Sequence, residues 1–366
     1  MPFAVVRYLA FHVFVKVGLR EEGIVVDELN LRLLADYMQT NVDDFSPKLS
    51  GCGIEASRLS GGQSNPTFLI QSADRRYVLR KKPSGKLLPS AHQVEREYRV
   101  MKALEGTDVP VPHMYALCED DSVIGTPFFI MEFLDGRIFS DPAVPGVSVD
   151  ERGKLFDAMN AGLAALHQVD YEACRLGDYG PPSGFYERQI RRWTKQYRGS
   201  ETDRIEAMEN LIAWLPENIP QDGTVTIAHG DYRIQNIVFH KDKPELIGVL
   251  DWELSTLGHP MADLAHNCGM YRPAHPHDGS LFGMDIQALG IPSEQEYISA
   301  YCRRTGRDGI ADWRFYIVYA MFKGACIMQG VYKRGLDGNA AAEVALTYGA
   351  MCRTRTEDAW RLIEGK

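Results

Sequence analysis

Three residues, Asp231, Asn236 and Asp251, have the types and spacing that could do chemistry. Asp231 stands in His229-Gly230-Asp231-Tyr232-Arg233-Ile234-Gln235-Asn236, and Asp251 opens Asp251-Trp252-Glu253. Phosphoryl transfer needs one carboxylate to accept a hydroxyl proton. It also needs an amide oxygen and a second carboxylate to hold Mg²⁺ against a triphosphate. Mg²⁺ favours oxygen ligands from one or two protein groups plus phosphates, and Asn236 with Asp251 supplies that pair. A lone Asp is usually a turn former and His-Gly-Asp could be a plain loop. The spacing and the strands around it favour catalysis over that reading.

The local pattern explains how residues so far apart could meet. Residues 237–240 and 246–250 read as two short strands joined by the turn-like Lys241-Asp242-Lys243-Pro244. Asn236 opens the first strand and Asp251 closes the second, so an antiparallel hairpin sets them side by side. Upstream, residues 54–59, 67–71 and 76–80 read as strands. Between the first two, Gly61, Gly62, Ser64 and Asn65 form a turn whose backbone N–H groups can approach phosphates without an intervening side chain. Hairpin turns use the same residues routinely, so the turn acquires meaning only from the basic strand after it. That strand ends in Arg80-Lys81-Lys82, with Arg80 and Lys82 on one face and Lys81 on the other.

Helical periodicity predicts helices over 29–40, from Val94 to Leu104, over 315–332 and over 341–363. Leu155, Met159, Leu163 and Leu166 form an apolar core stripe, with His167 a structural residue at its end. Arg188, Arg191 or Arg192, and Lys195 recur at helical spacing. This stripe could attract an anionic acceptor; a solvated helix face is the expectation. His229 reads as a loop-shaping residue, since a neutral imidazole is a poor partner for Mg²⁺.

The chain has 366 residues, enough for one large domain or two, with ample apolar content for a core. Its formal charge of −9 argues against nucleic acid as a partner. Seven cysteines, with no CxxC pair, read as neither a disulfide framework nor a zinc site and fit a reducing, cytoplasmic setting. No uncharged apolar run of about 18 residues appears, so no membrane span is expected. The stretch from Phe3 to Val17 is apolar with Arg7 and Lys16 and no acid before Glu21. An extra packed element or an over-extended start fits it better than an organelle-targeting segment, which would be richer in serine.

The motif around Asp231, Asn236 and Asp251 resembles the aminoglycoside phosphotransferase and choline kinase superfamily, whose members share the protein-kinase-like fold and phosphorylate small molecules. The segments 61–68, Leu79-Arg80-Lys81-Lys82-Pro83, Pro89-Ser90-Ala91-His92 and 250–260 are similar to the kinase-like domain of acyl-CoA dehydrogenase family members 10 and 11 and their free-standing bacterial relatives. The similarity runs from about Leu29 to the C-terminus. It implies an α+β, two-lobed architecture with a small antiparallel-sheet N-lobe over 27–134 and a larger, mainly helical C-lobe over 135–366. Residues 1–26 are left as an extension.

On that resemblance Asp231 is the catalytic base, Asn236 and Asp251 hold Mg²⁺, and ATP lies between the lobes. Gly61, Gly62, Ser64 and Asn65 border the phosphates. Arg80 takes the place of the usual strand lysine, with Lys82 in reserve, and Glu97 is the helix acid that aims the cation. Backbone groups near Glu132 and Leu134 meet adenine. Asp263 braces the catalytic loop, and Glu253 could reach the metal through water. The acceptor implied is a small-molecule hydroxyl compound, acyl-CoA-linked in this branch. Two other classes stand beside this one: a nucleotide-binding pseudokinase, and a metal-dependent hydrolase using His229, Asp231, Asp251 and His259, which lacks any HExxH-type helix.

Overall fold

Alternation of side chains on a strand puts successive residues on opposite faces, and the central strands here are apolar on both. The computed structural model describes residues 29–48, 51–59, 65–83, 92–273, 279–338 and 342–365. Strands β1 (Glu55–Arg58), β2 (Thr67–Gln71), β3 (Arg76–Lys81), β4 (Met114–Cys118) and β5 (Phe128–Glu132) form one antiparallel sheet in the order β1-β2-β3-β5-β4. Tyr77, Leu79, Phe128 and Ile130 pack on one face with Leu34 and Met38 of helix α1 (Leu31–Asn41). Val78, Phe129 and Met131 point the other way, into the core shared with Val94, Val100 and Met101 of α2 (Val94–Leu104).

Parity therefore turns Arg80, two residues beyond Val78, toward α2. Lys82 follows it to that side and meets Glu95 at 2.8 Å, while Lys81 is buried. A single helical turn, α3 (Asp121–Ile124), links β4 to β5.

Beyond β5 the chain is mainly helical: α4 (Val149–Gln168), α5 (Phe185–Ser200), α6 (Glu206–Glu217), α7 (Pro260–Asn267), α8 (Glu294–Thr305), α9 (Trp313–Leu336) and α10 (Ala342–Glu364). Helix α9 runs through the middle, flanked by α5, α6, α7 and α10. It is apolar nearly all round, as an enclosed helix must be. No helix among the described residues is long and apolar enough to cross a membrane. Two small sheets sit at the junction with the N-lobe. One pairs β6 (Gly136–Arg137), β8 (Ile237–His240) and β9 (Leu246–Val249), and the other pairs β7 (Thr226–Ala228) with β10 (Thr256–Gly258). The architecture is the two-lobed α+β arrangement expected.

The predicted helix ends move little. Helix α1 starts at Leu31 because the Asn30 side chain accepts from the Leu33 N–H and caps it. Helix α9 extends to Leu336, past the predicted 332, since apolar contacts with α10 continue. The predicted hairpin is present, with Ile237 opposite Val249. The first 28 residues and Gly61, Gly62 and Ser64 lie outside the described residues.

Candidate active site

The loop between β7 and β8 carries Asp231, and its shape is set by bonds to its backbone. Gly230 has φ +85°, and a Cβ there would lie 2.7 Å from the Leu254 carbonyl oxygen, so only glycine fits. The buried carboxylate of Asp263 accepts from the His229 N–H at 2.6 Å and the Gly230 N–H at 2.8 Å. Burial alone would raise the Asp263 pKa; contact with His167 and His229 and the Gly230 N–H hold it below the ordinary range. His229 donates through Nε2 to the Leu250 carbonyl at 2.9 Å, and its Nδ1 accepts from the Asp231 N–H. It shapes the loop. His167 is enclosed between Tyr301 and Asp263.

The carboxylate of Asp231 is engaged on both oxygens. Asn236 Nδ2 donates to Oδ2 at 2.9 Å, with Arg233 Nε 3.4 Å from the same atom. His266 Nε2 lies 2.9 Å from Oδ1. Burial would raise the Asp231 pKa, but His266, Arg233 and His229 more than offset it and the net is well below the ordinary carboxylate range. Asn236 spends its amide nitrogen on Asp231, which leaves the amide oxygen, the donor type Mg²⁺ takes. Its carbonyl accepts from the Leu250 N–H at 2.8 Å, which ties the two ends of the β8–β9 hairpin together. Asp251 follows directly, in the left-handed region at φ 66°, a conformation that costs about 1–3 kcal/mol for a non-glycine residue.

Arg80 joins this end of the site to the sheet. Its Nε lies 3.0 Å from Glu97 Oε2, and its Nη2 lies 2.8 Å from Asp251 Oδ1 and 3.6 Å from Glu253 Oε2. Glu97 is buried, and desolvation pushes its pKa up to about 7; Arg80 pulls it back, and Asp251 and Glu253 add to the rise. Asn65 is buried too. Its Nδ2 donates to Glu97 at 2.8 Å and its Oδ1 lies 3.0 Å from His92 Nδ1. Lys82 is apart from this cluster.

At the end of β5, the Glu132 N–H donates to the His113 carbonyl and the His113 N–H donates to the Glu132 carboxylate, while the Leu134 carbonyl accepts from the Gly136 N–H. Leu134 lies against Gly248, so the turn rests on the β8–β9 hairpin.

The donor set fits Mg²⁺ held with phosphates. Asn236 and Asp251 present an amide oxygen and a carboxylate at neighbouring strand ends, with Glu253 behind them. No cluster of three or more His, Cys, Asp or Glu able to hold a metal alone occurs among the described residues.

Two residues beside Asp231 escaped the sequence reading. His266 ends α7, one turn after Asp263. Lys323 projects from α9, and its Nζ donates to the Gly230 carbonyl at 2.6 Å. Burial lowers the Lys323 pKa, partly countered by Asp231 and Asp263. A lone lysine inside an otherwise apolar helix was the signal available for it. A cleft next to Asp231 is lined by Lys323, Arg192, Phe185, Trp193 and Tyr319. Of the basic stripe on α5, Arg192 faces this cleft, while Arg188 bonds the Pro181 carbonyl. A larger cleft of about 400 Å³, between the start of α5 and the end of α6, is lined by His259 of the hydrolase alternative and by none of the residues expected in the kinase site.

A two-lobed kinase-like fold with a loop carboxylate, a neighbouring amide and carboxylate pair, and a cation anchored by a helix acid defines the small-molecule phosphotransferases. Residues 55–313 match the phosphotransferase enzyme family, and the chain belongs to that family. It is 47% identical over 309 residues to acyl-CoA dehydrogenase family member 10 of Mus musculus, covering 84% of this chain and 29% of that protein. It is 42% identical over 322 residues to family member 11 of Homo sapiens, covering 86% of this chain and 41% of that protein. The chain thus spans less than half the length of these curated relatives. A Ralstonia eutropha structure assigned to the aminoglycoside phosphotransferases superposes with TM-score 0.84 at 45% identity, covering 92% of this chain and 99% of that one. An aminoglycoside phosphotransferase solved with AMP-PNP and hygromycin B shares the fold, with TM-score 0.57 at 14% identity over 86% of this chain and 96% of that one.

Proposed function

We propose that the chain is an ATP- and Mg²⁺-dependent kinase that transfers the γ-phosphoryl group to the hydroxyl of a small molecule. The observation that carries this is one connected cluster: Asp231 bonded to Asn236, with Asp251 at the adjoining strand end bonded to Arg80, which is anchored on Glu97. In this reading residues 27–134 bind the nucleotide and 135–366 bring the base, the metal donors and the acceptor cleft. Asn236 and Asp251 would hold Mg²⁺, which when bound neutralises phosphate charge. Asp231 orients the acceptor hydroxyl and takes its proton. Arg80 swings from Asp251 to the phosphates, and the backbone near Glu132 and Leu134 borders adenine. Positioning and charge stabilisation supply most of the rate.

The cleft beside Asp231 supports one class of acceptor. Three aromatic walls with Arg192 and Lys323 suit a molecule with an apolar body and a carbonyl or anionic group near its hydroxyl. Hydroxyacyl thioesters and hydroxy acids have that chemistry, and the names of the curated relatives point the same way. The test is ATP consumption with Mg²⁺ across hydroxyacyl-CoAs, free hydroxy acids, choline-like alcohols and aminoglycosides, with Asp231→Asn as control. Turnover of one class that falls about 10²- to 10⁴-fold in the variant supports the reading. ATP binding without turnover of any acceptor would favour a pseudokinase instead.

A further inference from the structure

We propose that His266 is a positioning residue for Asp231, its imidazole clamping the carboxylate so that an acceptor hydroxyl meets that base in one orientation. The kinetic part of this rests on the kinase reading above; the geometric part does not.

The carboxylate torsion of an aspartate is broad and roughly two-fold, so a donor on one oxygen leaves the plane free to rock. Asp231 has a donor on each. Asn236 Nδ2 holds Oδ2 at 2.9 Å, and His266 Nε2 holds Oδ1 at 2.9 Å from the opposite element. An ionised carboxylate only accepts, so His266 must carry its proton on Nε2.

Helix α7 makes the clamp stiff. Asp263 and His266 are one turn apart on the same face. The first grips the backbone N–H groups of His229 and Gly230, and the second grips the side chain of Asp231. One rigid turn therefore fixes both the loop and its reactive group. The imidazole also borders two clefts, one lined by Arg233 and Arg355 and the other by Arg192 and Lys323. An acceptor approaching Asp231 through either cleft lies against His266. Burial, with Lys323 and Arg233 close by, lowers the His266 pKa although Asp231 opposes this. A neutral donor aligns the carboxylate without cancelling its charge.

The test combines kinetics with the imidazole spectrum of the full chain. His266→Leu should lower kcat about 10- to 100-fold while KM for ATP stays within about twofold, as expected when a base is misaligned. His266→Gln, which keeps a donor, should recover part of the loss. In the Asp231→Asn background His266→Leu should cost nothing further, because residues acting as a unit are not additive. Full additivity, or an unchanged kcat in His266→Leu, overturns the proposal. In ¹⁵N-resolved spectra of the wild type, His266 should show a protonated Nε2 whose resonance moves in Asp231→Asn. An Nδ1–H tautomer, or a resonance indifferent to Asp231, would also overturn it. Should the wild type phosphorylate nothing, the kinase reading is what fails, and the spectrum still decides the clamp.

Discussion

Replacing Glu97 by Gln should remove part of the pH dependence of folding, by an amount that follows from the charges around Arg80. Three carboxylates, Glu97, Asp251 and Glu253, lie within 3.6 Å of one guanidinium. Glu97 is the most enclosed, at 2% exposure. Desolvation therefore raises its pKa from 4.5 to about 7, with Arg80 and Asn65 opposing and Asp251 and Glu253 adding to the rise. A carboxyl raised in the folded state stabilises fully below its unfolded pKa, and that contribution is lost as pH rises through the folded pKa. With about 1.4 kcal/mol per pK unit, the loss between about pH 5 and about pH 8 comes to about 2–3 kcal/mol. The variant carries no such proton. Urea unfolding of both proteins, without nucleotide or metal, measures the difference directly. The stability gap should move by about 2–3 kcal/mol in favour of Glu97→Gln from the acid to the alkaline end. Parallel curves would mean that Glu97 is ionised throughout and that Arg80 outweighs desolvation, which would refute the argument. The same substitution should raise KM for ATP, because the cation loses its anchor.

Three further outcomes are expected. Arg80→Met should raise KM for ATP about tenfold or more, whereas Lys82→Met, which breaks an ion pair with Glu95 near the surface, should leave it within about twofold; steady-state kinetics at fixed acceptor separates them. Lys323→Met should raise KM for a carbonyl-bearing or anionic acceptor while leaving KM for ATP alone, and the melting temperature should fall modestly, since the Gly230 carbonyl loses its donor. Gly230→Ala should cost about 2 kcal/mol or more in chemical denaturation, from the positive φ and the 2.7 Å approach to the Leu254 carbonyl, with activity lost as the loop shifts.

Sequence reading captured what lies close together along the chain. The β8–β9 hairpin was legible because strand alternation and a turn rich in Lys, Asp and Pro are local signals, and it brought Asn236 beside Asp251. Parity on β3 placed Arg80 and Lys82 on one face, and the structure sets that face against α2, which offers each a glutamate. Choosing between them required knowing that Glu97 is buried and Glu95 is not, which depends on how α2 is rotated against the sheet. His266 was hidden for a different reason: its partner lies 35 residues earlier, across a helix whose docking no local pattern specifies. Lys323 and Arg192 come from α9 and α5, and their convergence on one cleft exists only once those helices pack. The solvated-face reading of the α5 stripe holds for Arg191, Arg192 and Lys195, all exposed, and Arg192 lines the cleft as well.

Arginine in place of a strand lysine has a structural consequence. A lysine offers one nitrogen, whereas the guanidinium of Arg80 reaches Glu97 through Nε and Asp251 with Glu253 through Nη2. One side chain therefore ties α2 to the end of β9. Two more arginines on α2 extend the tie. Arg96 donates to the carbonyls of Tyr179 and Ser255, and Arg99 to the Arg175 carbonyl and Asp178. Helix α2 is thereby bonded to the C-lobe at three levels, and the turn at Trp252–Leu254 packs against it as well. Rotating α2 away from the C-lobe would break several charge-assisted bonds at once. The fork of Arg80 holds Glu97 and Asp251 in one register; Arg80→Lys keeps the charge and loses that registration.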